Sequence, residues 1–334
     1  MTRYLVVGGA GFIGSHLATR LLHDADENIR VRVFDNLVSG SRERLAHLDG
    51  DERFELVVGD IKELEELLAA TAGVDHVFHF AANPDIAASM QRPDIDFWEG
   101  TYLANNVLEA IRCQRVARLT YASGSGVYGD IGEVNATEDH GPMHPISTYG
   151  ASKLGCEAMI SSYCHMFGLH ASVFRFANVV GPRQTHGVTF DFVRKLLRDP
   201  ARLEIFGDGS QSKSYIHVDD VVEAMLLVAA HEQPGYEVFN VGTDEYVTVR
   251  EIADLVVETL GMQSVQYEFT GGSRGWKGDV PVVRFSSERV RARGWRNRYG
   301  SAEALVASIR ANLQEAGGLV GEESASLQRP GSSP

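Results

Sequence analysis

The stretch that decides the fold is YLVVGGAGFIGSHL, residues 4–17. A short apolar run precedes three spaced glycines, and a helical pattern follows them. Glycine lets the backbone turn tightly and approach a ligand, and the free N–H groups of a helix N-terminus favour a pyrophosphate. The stretch therefore predicts a strand–loop–helix unit that binds a dinucleotide through Gly8, Gly11, Phe12, Ile13 and Gly14.

An acidic residue downstream indicates which dinucleotide binds. Asp35 ends the second predicted strand, residues 30–35. A carboxylate at this place accepts hydrogen bonds from the two hydroxyls of an adenosine ribose and repels a 2′-phosphate. We therefore predict NAD rather than NADP. Asp60 ends the third predicted strand, 54–59, and we expect it to meet the adenine edge.

Short β-branched runs alternate with amphipathic stretches through the first half of the chain, which is typical of βαβ units in a doubly wound parallel sheet. We predict an α/β fold, a Rossmann domain with a smaller α/β C-terminal lobe. The NAD-binding domain takes residues 1–180 and 215–243, and the lobe takes 181–214 and 244–316. Residues 317–334 have little apolar content and are predicted to be a disordered tail.

Composition excludes several function classes. The chain has 334 residues, a formal net charge of −14 and a pI near 5.3, so it lacks the basic surface expected of a nucleic-acid or membrane-surface binder. No apolar run is long enough to span a bilayer, and the start of the chain lacks the pattern of a secretory signal. Three cysteines without a CxxC pair suit a reducing compartment, so we expect a cytoplasmic protein. The twelve histidines form no helical metal-binding pair, and we predict no metal.

A tyrosine and a lysine four residues apart form the clearest catalytic pattern. In Tyr149-Gly-Ala-Ser-Lys153 both side chains fall on one face of a predicted helix, 149–167. An ammonium beside a phenol lowers the pKa of the phenol from about 10, as a general base near neutrality requires. An ordinary surface pair on a helix would give the same spacing, and the glycine pattern weighs against that alternative.

A run of small residues, YASGSGVYG at 121–129, lies upstream of this pair. A strand end of this kind admits a substrate close to the backbone and offers hydroxyl donors to a sugar oxygen. The candidates are Ser123 and Ser125. A flexible Gly/Ser loop is the alternative interpretation.

These motifs, taken in order, resemble the extended short-chain dehydrogenases/reductases, and within them the NAD-dependent nucleotide-sugar epimerases and dehydratases. The likeness runs from about Arg3 to Leu313. It implies tightly held NAD and a nucleoside diphosphate sugar in the cleft between two lobes. It also places further residues at the cofactor: Asn36, Ile61, Ala81 and Ala82.

The resemblance implies that the Tyr149 phenolate takes a proton from the sugar 4-hydroxyl while Lys153 supports it. Related 4,6-dehydratases have an acidic pair where this chain has Ser125 and Gly126, and UDP-xylose-forming decarboxylases have a glutamate at the second place. Without an acid for elimination, the expected outcome is 4-epimerisation through a 4-keto sugar. The family's catalytic Ser or Thr falls at Gly124, so we expect Ser125 or Ser123 to supply the missing hydroxyl.

The resemblance also assigns a substrate side. Asn178, Lys213, Arg274 and Asp279 match positions that hold the diphosphate and the uridine ribose, and charge-assisted donors suit a diphosphate. UDP-glucose/UDP-galactose and UDP-glucuronate/UDP-galacturonate are both compatible with the sequence, and an N-acetylhexosamine stays open as well. The candidate donors to a uronate carboxylate are Thr185, His186 and Thr189, together with main-chain N–H groups near Asn83-Pro84-Asp85.

Two other functions remain to be tested. One is another nucleotide-sugar enzyme of the same family, a decarboxylase or a dehydratase. The other is a weakly catalytic or inactive protein that binds NAD and a UDP-sugar because Gly124 lacks a hydroxyl. The resemblance implies a homodimer built from the predicted helices 101–112 and 149–167.

Overall fold

The computed structural model describes residues 1–23, 27–231 and 235–326 of the chain. Its strands, in chain order, are β1 (Thr2–Val7), β2 (Ile29–Asp35), β3 (Phe54–Val58), β4 (His76–His79), β5 (Arg118–Gly124), β6 (His170–Phe176), β7 (Asn178–Val180), β8 (Arg202–Ile205), β9 (Ser212–Lys213), β10 (Tyr215–His217), β11 (Tyr236–Val241), β12 (Val247–Thr248) and β13 (Gln266–Phe269).

The α-helices are α1 (Phe12–His23), α2 (Leu64–Thr71), α3 (Tyr102–Gln114), α4 (Thr148–Phe167), α5 (Val188–Arg198), α6 (Val218–Ala229), α7 (Val249–Thr259), α8 (Glu288–Arg291) and α9 (Ser301–Ser326). A π-helical turn at Phe97–Thr101 leads into α3, and a 3-10 turn at Ser125–Tyr128 follows β5. No helix among the described residues is long and apolar enough to cross a membrane.

Seven parallel strands form the central sheet, in the order β11-β6-β5-β4-β1-β2-β3. The order reverses between β1 and β4, where Val7 pairs with His79. In an open α/β sheet, ligands bind beyond the carboxyl ends of the strands at such a switch point. The glycine loop after β1 and the segment after β4 therefore flank the same crevice. This sheet confirms the predicted doubly wound fold.

Three apolar cores hold these elements together. Two cover the faces of the sheet, around Phe174 and Phe239 on one side and around Tyr121 and Cys156 on the other. A third core joins α5, α7 and α9, with Leu196 and Ile309 fully buried in it. The existence of a separate third core fits a smaller lobe, and the exact residue boundaries of the two domains stay a prediction.

The predicted strands and helices of the first half match the structure to within a few residues. The short strands β7, β9, β10 and β12 were not predicted, because two or three residues carry no measurable period. The last helix, α9, continues to Ser326, so it includes the first part of the segment 317–334 that we expected to be disordered. The rest of that segment, 327–334, lies outside the described residues.

Candidate active site

The glycine loop passes directly against the segment that follows β4. Gly8 has φ +76°, a conformation that residues with a side chain rarely adopt, and a Cβ built on it would lie 2.6 Å from the Ala81 backbone nitrogen. The loop leads through Gly11 into the first turn of α1, whose N–H groups have no partner within the helix. This arrangement forms a cradle of backbone amides at the switch point, as a pyrophosphate requires.

Asp35 holds the glycine loop and the segment after β2 in place. One carboxylate oxygen accepts a hydrogen bond from the Ala10 amide at 2.9 Å, and the other accepts from the Leu37 amide at 2.8 Å. The side chain is buried at the end of β2. Each oxygen has a further lone pair, so the carboxylate can still accept hydrogen bonds from ribose hydroxyls.

The remaining predicted cofactor residues lie around the same crevice. The Asn36 amide donates to the Asp60 carboxylate at 3.3 Å, and the buried Ile61 offers its carbonyl to Asn106 at 3.0 Å. Ala81 and Ala82 follow β4 beside Gly8. The site suits a dinucleotide without a 2′-phosphate, because the glycine loop lies beside the buried Asp35 carboxylate and the Asp60 carboxylate is nearby.

Tyr149 and Lys153 lie side by side in the first turns of α4, but they are not directly hydrogen-bonded. The Lys153 ammonium lies 5.6 Å from the centre of the Tyr149 ring and donates to the Ala122 carbonyl at 2.7 Å. Gly150 brings α4 close to the turn after β5, since a Cβ there would lie 2.5 Å from the Gly126 carbonyl oxygen. The helix thus delivers both side chains to the carboxyl end of β5.

The electrostatics of this pair correct one expectation. Burial raises the pKa of the Tyr149 phenol above its ordinary value, and Asp96 and Cys156 add to the rise. Burial likewise lowers the pKa of Lys153 to about 8, against the effects of Cys156, Glu157 and Asp96. The predicted lowering of the Tyr149 pKa by Lys153 is absent from the protein alone, because desolvation and nearby acidic groups outweigh the ammonium.

Asp96 is a site residue that the sequence did not reveal. Its buried carboxylate accepts hydrogen bonds from the Asn83 amide at 2.8 Å and the Thr148 hydroxyl at 2.6 Å, and its carbonyl accepts from Ser152 at 2.7 Å. It lies in the helical turn that leads into the π-helical turn and matches no motif, so only the folded chain brings it beside Tyr149.

The two candidate serines have different environments. The Ser123 hydroxyl is buried and donates to the Glu157 carboxylate at 2.5 Å, which in turn binds Arg175 at 2.7 Å. Ser125 is half-buried and begins the turn beside α4. Gly124 has an extended backbone, and a Cβ there would have no atom within 4 Å. Ser125 is therefore the serine available to a substrate, and we do not retain the catalytic role predicted for Ser123.

The sequence motifs did not identify Glu157 either, although its spacing from Tyr149 and Lys153 is informative. It follows Lys153 by four residues and Tyr149 by eight, so all three fall on one face of α4. Its ion pair with Arg175 is buried, with both side chains 3% exposed. The pair anchors Ser123, at the end of β5, to the helix that carries Tyr149.

Three of the predicted substrate residues come together. Lys213 on β9 donates to the Asp279 carboxylate at 2.5 Å, and Arg274 donates to the Asp279 carbonyl at 2.5 Å. Arg274 also reaches the Asp130 carboxylate at 2.5 Å. Asn178 begins β7, is exposed and donates to the Ser214 carbonyl at 3.4 Å. Lys213, Arg274 and Asp279 thus form a half-buried cluster of charged groups between β9 and the segment that joins β13 to α8.

Thr189 does not join this cluster. Its side chain is fully buried in α5, where its hydroxyl lies 3.3 Å from the Ser308 hydroxyl and 3.4 Å from the Gln184 amide oxygen. The substrate-binding role predicted for it disagrees with this environment, because its hydroxyl is enclosed between α5 and α9. Nor do the described residues contain a group of three or more His, Cys, Asp or Glu side chains placed to hold a metal ion.

Comparisons with known proteins agree with this geometry. The model of the NAD dependent epimerase/dehydratase family matches residues 4–242. The UDP-glucose 4-epimerase of Mycolicibacterium smegmatis is 32% identical over 314 residues, 92% of this chain and 97% of its own.

Two solved structures are also similar. A UDP-galactose 4-epimerase has a TM-score of 0.83 and 37% identity, covering 94% of this chain and 99% of its own. DesIV, a dTDP-glucose 4,6-dehydratase from Streptomyces venezuelae, has a TM-score of 0.87 and 30% identity, covering 95% and 98%. The chain therefore belongs to the NAD dependent epimerase/dehydratase family, and its cofactor is NAD.

Proposed function

We propose that the protein catalyses the NAD-dependent 4-epimerisation of a UDP-hexose. The observation that carries the proposal is the placement of Tyr149 and Lys153 beside Ser125 and Gly126, where a dehydratase would have an acidic pair. A base without a neighbouring acid can oxidise and reduce the sugar but lacks the groups for elimination.

In this proposal Tyr149 removes the proton of the sugar 4-hydroxyl and later returns it. NAD bound in the crevice would supply reversible hydride transfer at C4 and a positive charge that favours the phenolate. Ser125 donates a hydrogen bond to the same sugar oxygen, and Lys153 contributes its positive charge beside the phenol. The 4-keto sugar rotates between the two transfers, so that the hydride returns to its other face.

We further propose UDP-glucose and UDP-galactose as the substrate pair. The burial of Thr189 removes one of the candidate side-chain donors to a uronate carboxylate. Desolvation lowers the pKa of the His186 ring, the Asp191 and Asp85 carboxylates act in the opposite direction, and Arg44 adds to the lowering. Two anionic groups and one cationic group thus act on His186, so a C6 carboxylate near this ring would meet more like than opposite charge, whereas a hydroxymethyl group would not.

Copies of this chain are proposed to pair through α3 and α4, in keeping with the dimer that the sequence implied. Exposed apolar side chains lie at both ends of this helix pair: Phe97 and Trp98 are 50% and 45% exposed, and Met166 and Phe167 are 67% and 50% exposed. Such side chains suit a protein–protein contact. Sedimentation of the purified protein tests this, and a monomer at micromolar concentration would contradict it. The cytoplasmic location stays a prediction.

The test of the activity uses the purified protein with UDP-glucose and, separately, with UDP-glucuronate. Chromatography resolves the C4 epimers while absorbance follows NADH. We expect galacto-configured product from UDP-glucose without net NADH. Stoichiometric NADH or CO₂ would indicate an oxidising or decarboxylating relative, and a 6-deoxy-4-keto product would indicate a dehydratase. NAD and UDP binding without conversion of any UDP-sugar would favour a binding protein.

A further inference from the structure

An ion pair joins the substrate-side cluster to the turn after β5. Arg274 lies on the segment between β13 and α8, and one of its terminal nitrogens donates to the Asp130 carboxylate at 2.5 Å. Its other terminal nitrogen donates to the Asp279 carbonyl at 2.5 Å. Asp130 immediately follows the small-residue stretch that contains Ser125. One guanidinium therefore connects the proposed diphosphate side of the cleft with the proposed sugar side.

Asp130 follows a tightly packed part of the segment after β5. Gly129 has φ +74° and pairs with His144, and a Cβ on Gly129 would lie 1.9 Å from the His144 carbonyl oxygen. One residue earlier, the buried Tyr128 hydroxyl donates to Asn240 at 2.7 Å. The backbone on the N-terminal side of Asp130 is thus fixed by close packing and a buried hydrogen bond.

Arg274 follows two glycines of positive φ on a segment whose nearest backbone hydrogen bond before it joins the Gly271 amide to the Gly207 carbonyl at 2.9 Å. Gly271 and Gly272, just before it, both have φ +83°, and Cβ atoms built on them would touch nothing within 4 Å. Glycines in such positions widen the range of conformations that a free segment samples. Two contacts, to Asp130 and to Asp279, hold the guanidinium in one place. The contact to Asp279 is local to the segment, and among the described residues it is Asp130 that joins Arg274 to the other side of the cleft.

We infer that Asp130 is a positioning residue that holds Arg274 ready for the substrate diphosphate. This inference rests on the proposed function for the identity of the ligand. A guanidinium has five N–H donors, and the hydrogen bonds to Asp130 and Asp279 leave donors for phosphate oxygens. Fixing the side chain before the ligand arrives reduces the entropy lost on binding. We expect Asp130 to affect the affinity for the substrate rather than the catalytic rate, because it has no contact with Tyr149 or Lys153.

The experiment measures UDP binding to the NAD-loaded protein by titration calorimetry. Asp130→Asn keeps the size of the side chain and removes its charge. Both side chains of the pair are about one-third exposed, so we expect the Kd for UDP to rise about threefold to fivefold. The KM for the UDP-sugar should rise by the same factor while kcat stays within about twofold. Asp139→Asn, which removes a comparable contact to Arg289 at 2.7 Å, is the matched control and should leave Kd unchanged.

A double-mutant cycle shows whether Asp130 acts through Arg274. In an Arg274→Gln background, Asp130→Asn should have no further effect on the Kd for UDP. Independent, additive effects would overturn the inference, as would an unchanged or tighter Kd in Asp130→Asn alone. Asp130→Glu keeps the charge and should bind UDP within about twofold of the wild type, which gives a second variant if Asp130→Asn does not fold.

The two proposals can fail separately. If the wild type binds UDP but converts no UDP-sugar, the proposed function is wrong, and the comparison of Kd values still decides the role of Asp130. If the wild type converts UDP-glucose and Asp130→Asn binds UDP normally, only the role of Asp130 is wrong. A wild type that does not bind UDP would overturn both.

Discussion

The Lys153 ammonium lies 5.6 Å from the centre of the Tyr149 ring and is hydrogen-bonded to the Ala122 carbonyl. Both groups are desolvated, which favours a neutral phenol and weakens the preference of the lysine for its proton. The Lys153 ammonium is thus a neighbouring positive charge rather than a hydrogen-bond partner of the Tyr149 phenol.

Replacement of Tyr149 by phenylalanine tests the base directly. Tyr149→Phe removes the hydroxyl and keeps the ring, so turnover should fall by about 10²- to 10⁴-fold while the NAD content of the purified protein stays unchanged. Tyr163→Phe on the same helix removes a hydroxyl that donates to Glu109 and should retain at least a third of the turnover. A Tyr149→Phe variant with more than a tenth of the wild-type rate would rule out this assignment.

The serine environments predict different results for two neighbouring substitutions. Ser125→Ala should lower kcat about tenfold to hundredfold, because a donor to the sugar oxygen is lost. Ser123→Ala should leave kcat within about twofold and reduce the free energy of unfolding by about 2 kcal/mol, because the buried Glu157 carboxylate loses a donor. Steady-state kinetics and urea unfolding separate the two effects. An equal loss of kcat in both variants would contradict the assignment of Ser125.

The space at Gly124 allows the opposite experiment. A side chain there meets no atom within 4 Å and needs no unusual φ, so Gly124→Ser should fold normally. We expect the new hydroxyl to raise kcat several-fold in the wild type and to restore activity to Ser125→Ala. Failure of the rescue in a folded, NAD-loaded protein would show that the hydroxyl position is not what limits turnover.

Local patterns predicted most of the fold and the cofactor side of the site. Glycine spacing, the acid at Asp35 and the Tyr149–Lys153 interval are each encoded within a few residues, so periodicity and spacing are enough to find them. Asp96 and Asp130 could not be found in this way. Their roles depend on contacts with Thr148 and Arg274, which are distant in sequence, and an acid outside any motif has no local signature.

The environments of Ser123 and Thr189 differ from what their predicted roles require, and for the same physical reason. Ser123 and Thr189 carry suitable hydroxyls at plausible distances along the chain, but each faces a buried partner, Glu157 for Ser123 and Ser308 for Thr189. The direction of a side chain depends on tertiary packing, which a pattern of residue types does not specify. The pKa of Tyr149 was mispredicted for a related reason, since sequence spacing reveals a neighbouring charge but not the burial around it.

The buried ion pair between Glu157 and Arg175 should matter more for stability than any surface pair. Glu157→Ala leaves the Arg175 charge without a partner in a buried site, and we expect a loss of about 3–5 kcal/mol in the free energy of unfolding. Glu55→Ala removes the exposed pair with Arg32 at 2.6 Å and should cost less than about 1 kcal/mol. Urea unfolding at pH 7 compares the two, and equal losses would contradict a structural role for the buried pair.

The lowered pKa of Lys153 makes stability depend on pH in a defined direction. Its value of about 8 lies below the ordinary 10.5, so between these pH values the unfolded chain holds more protons at Lys153 than the folded chain does. The contribution of this group to stability therefore rises as pH increases from 8 to 10.5, and below pH 8 its destabilising effect is complete. At 1.36 kcal/mol per pKa unit, the full effect is on the order of 3 kcal/mol.

Lys153→Met removes this titration and should abolish turnover. The measured quantity is the difference in unfolding free energy between Lys153→Met and the wild type, variant minus wild type, both without cofactor. This difference should increase as pH falls from 10 to 8 and become constant below pH 8. Loss of the hydrogen bond to Ala122 lowers the stability of the variant equally at every pH, so the slope of the difference, rather than its sign, reports the lysine. Lys277→Met at an exposed position is the control and should give a flat difference. A flat difference for Lys153→Met as well, or one that increases toward pH 10, would show that desolvation does not govern this ammonium.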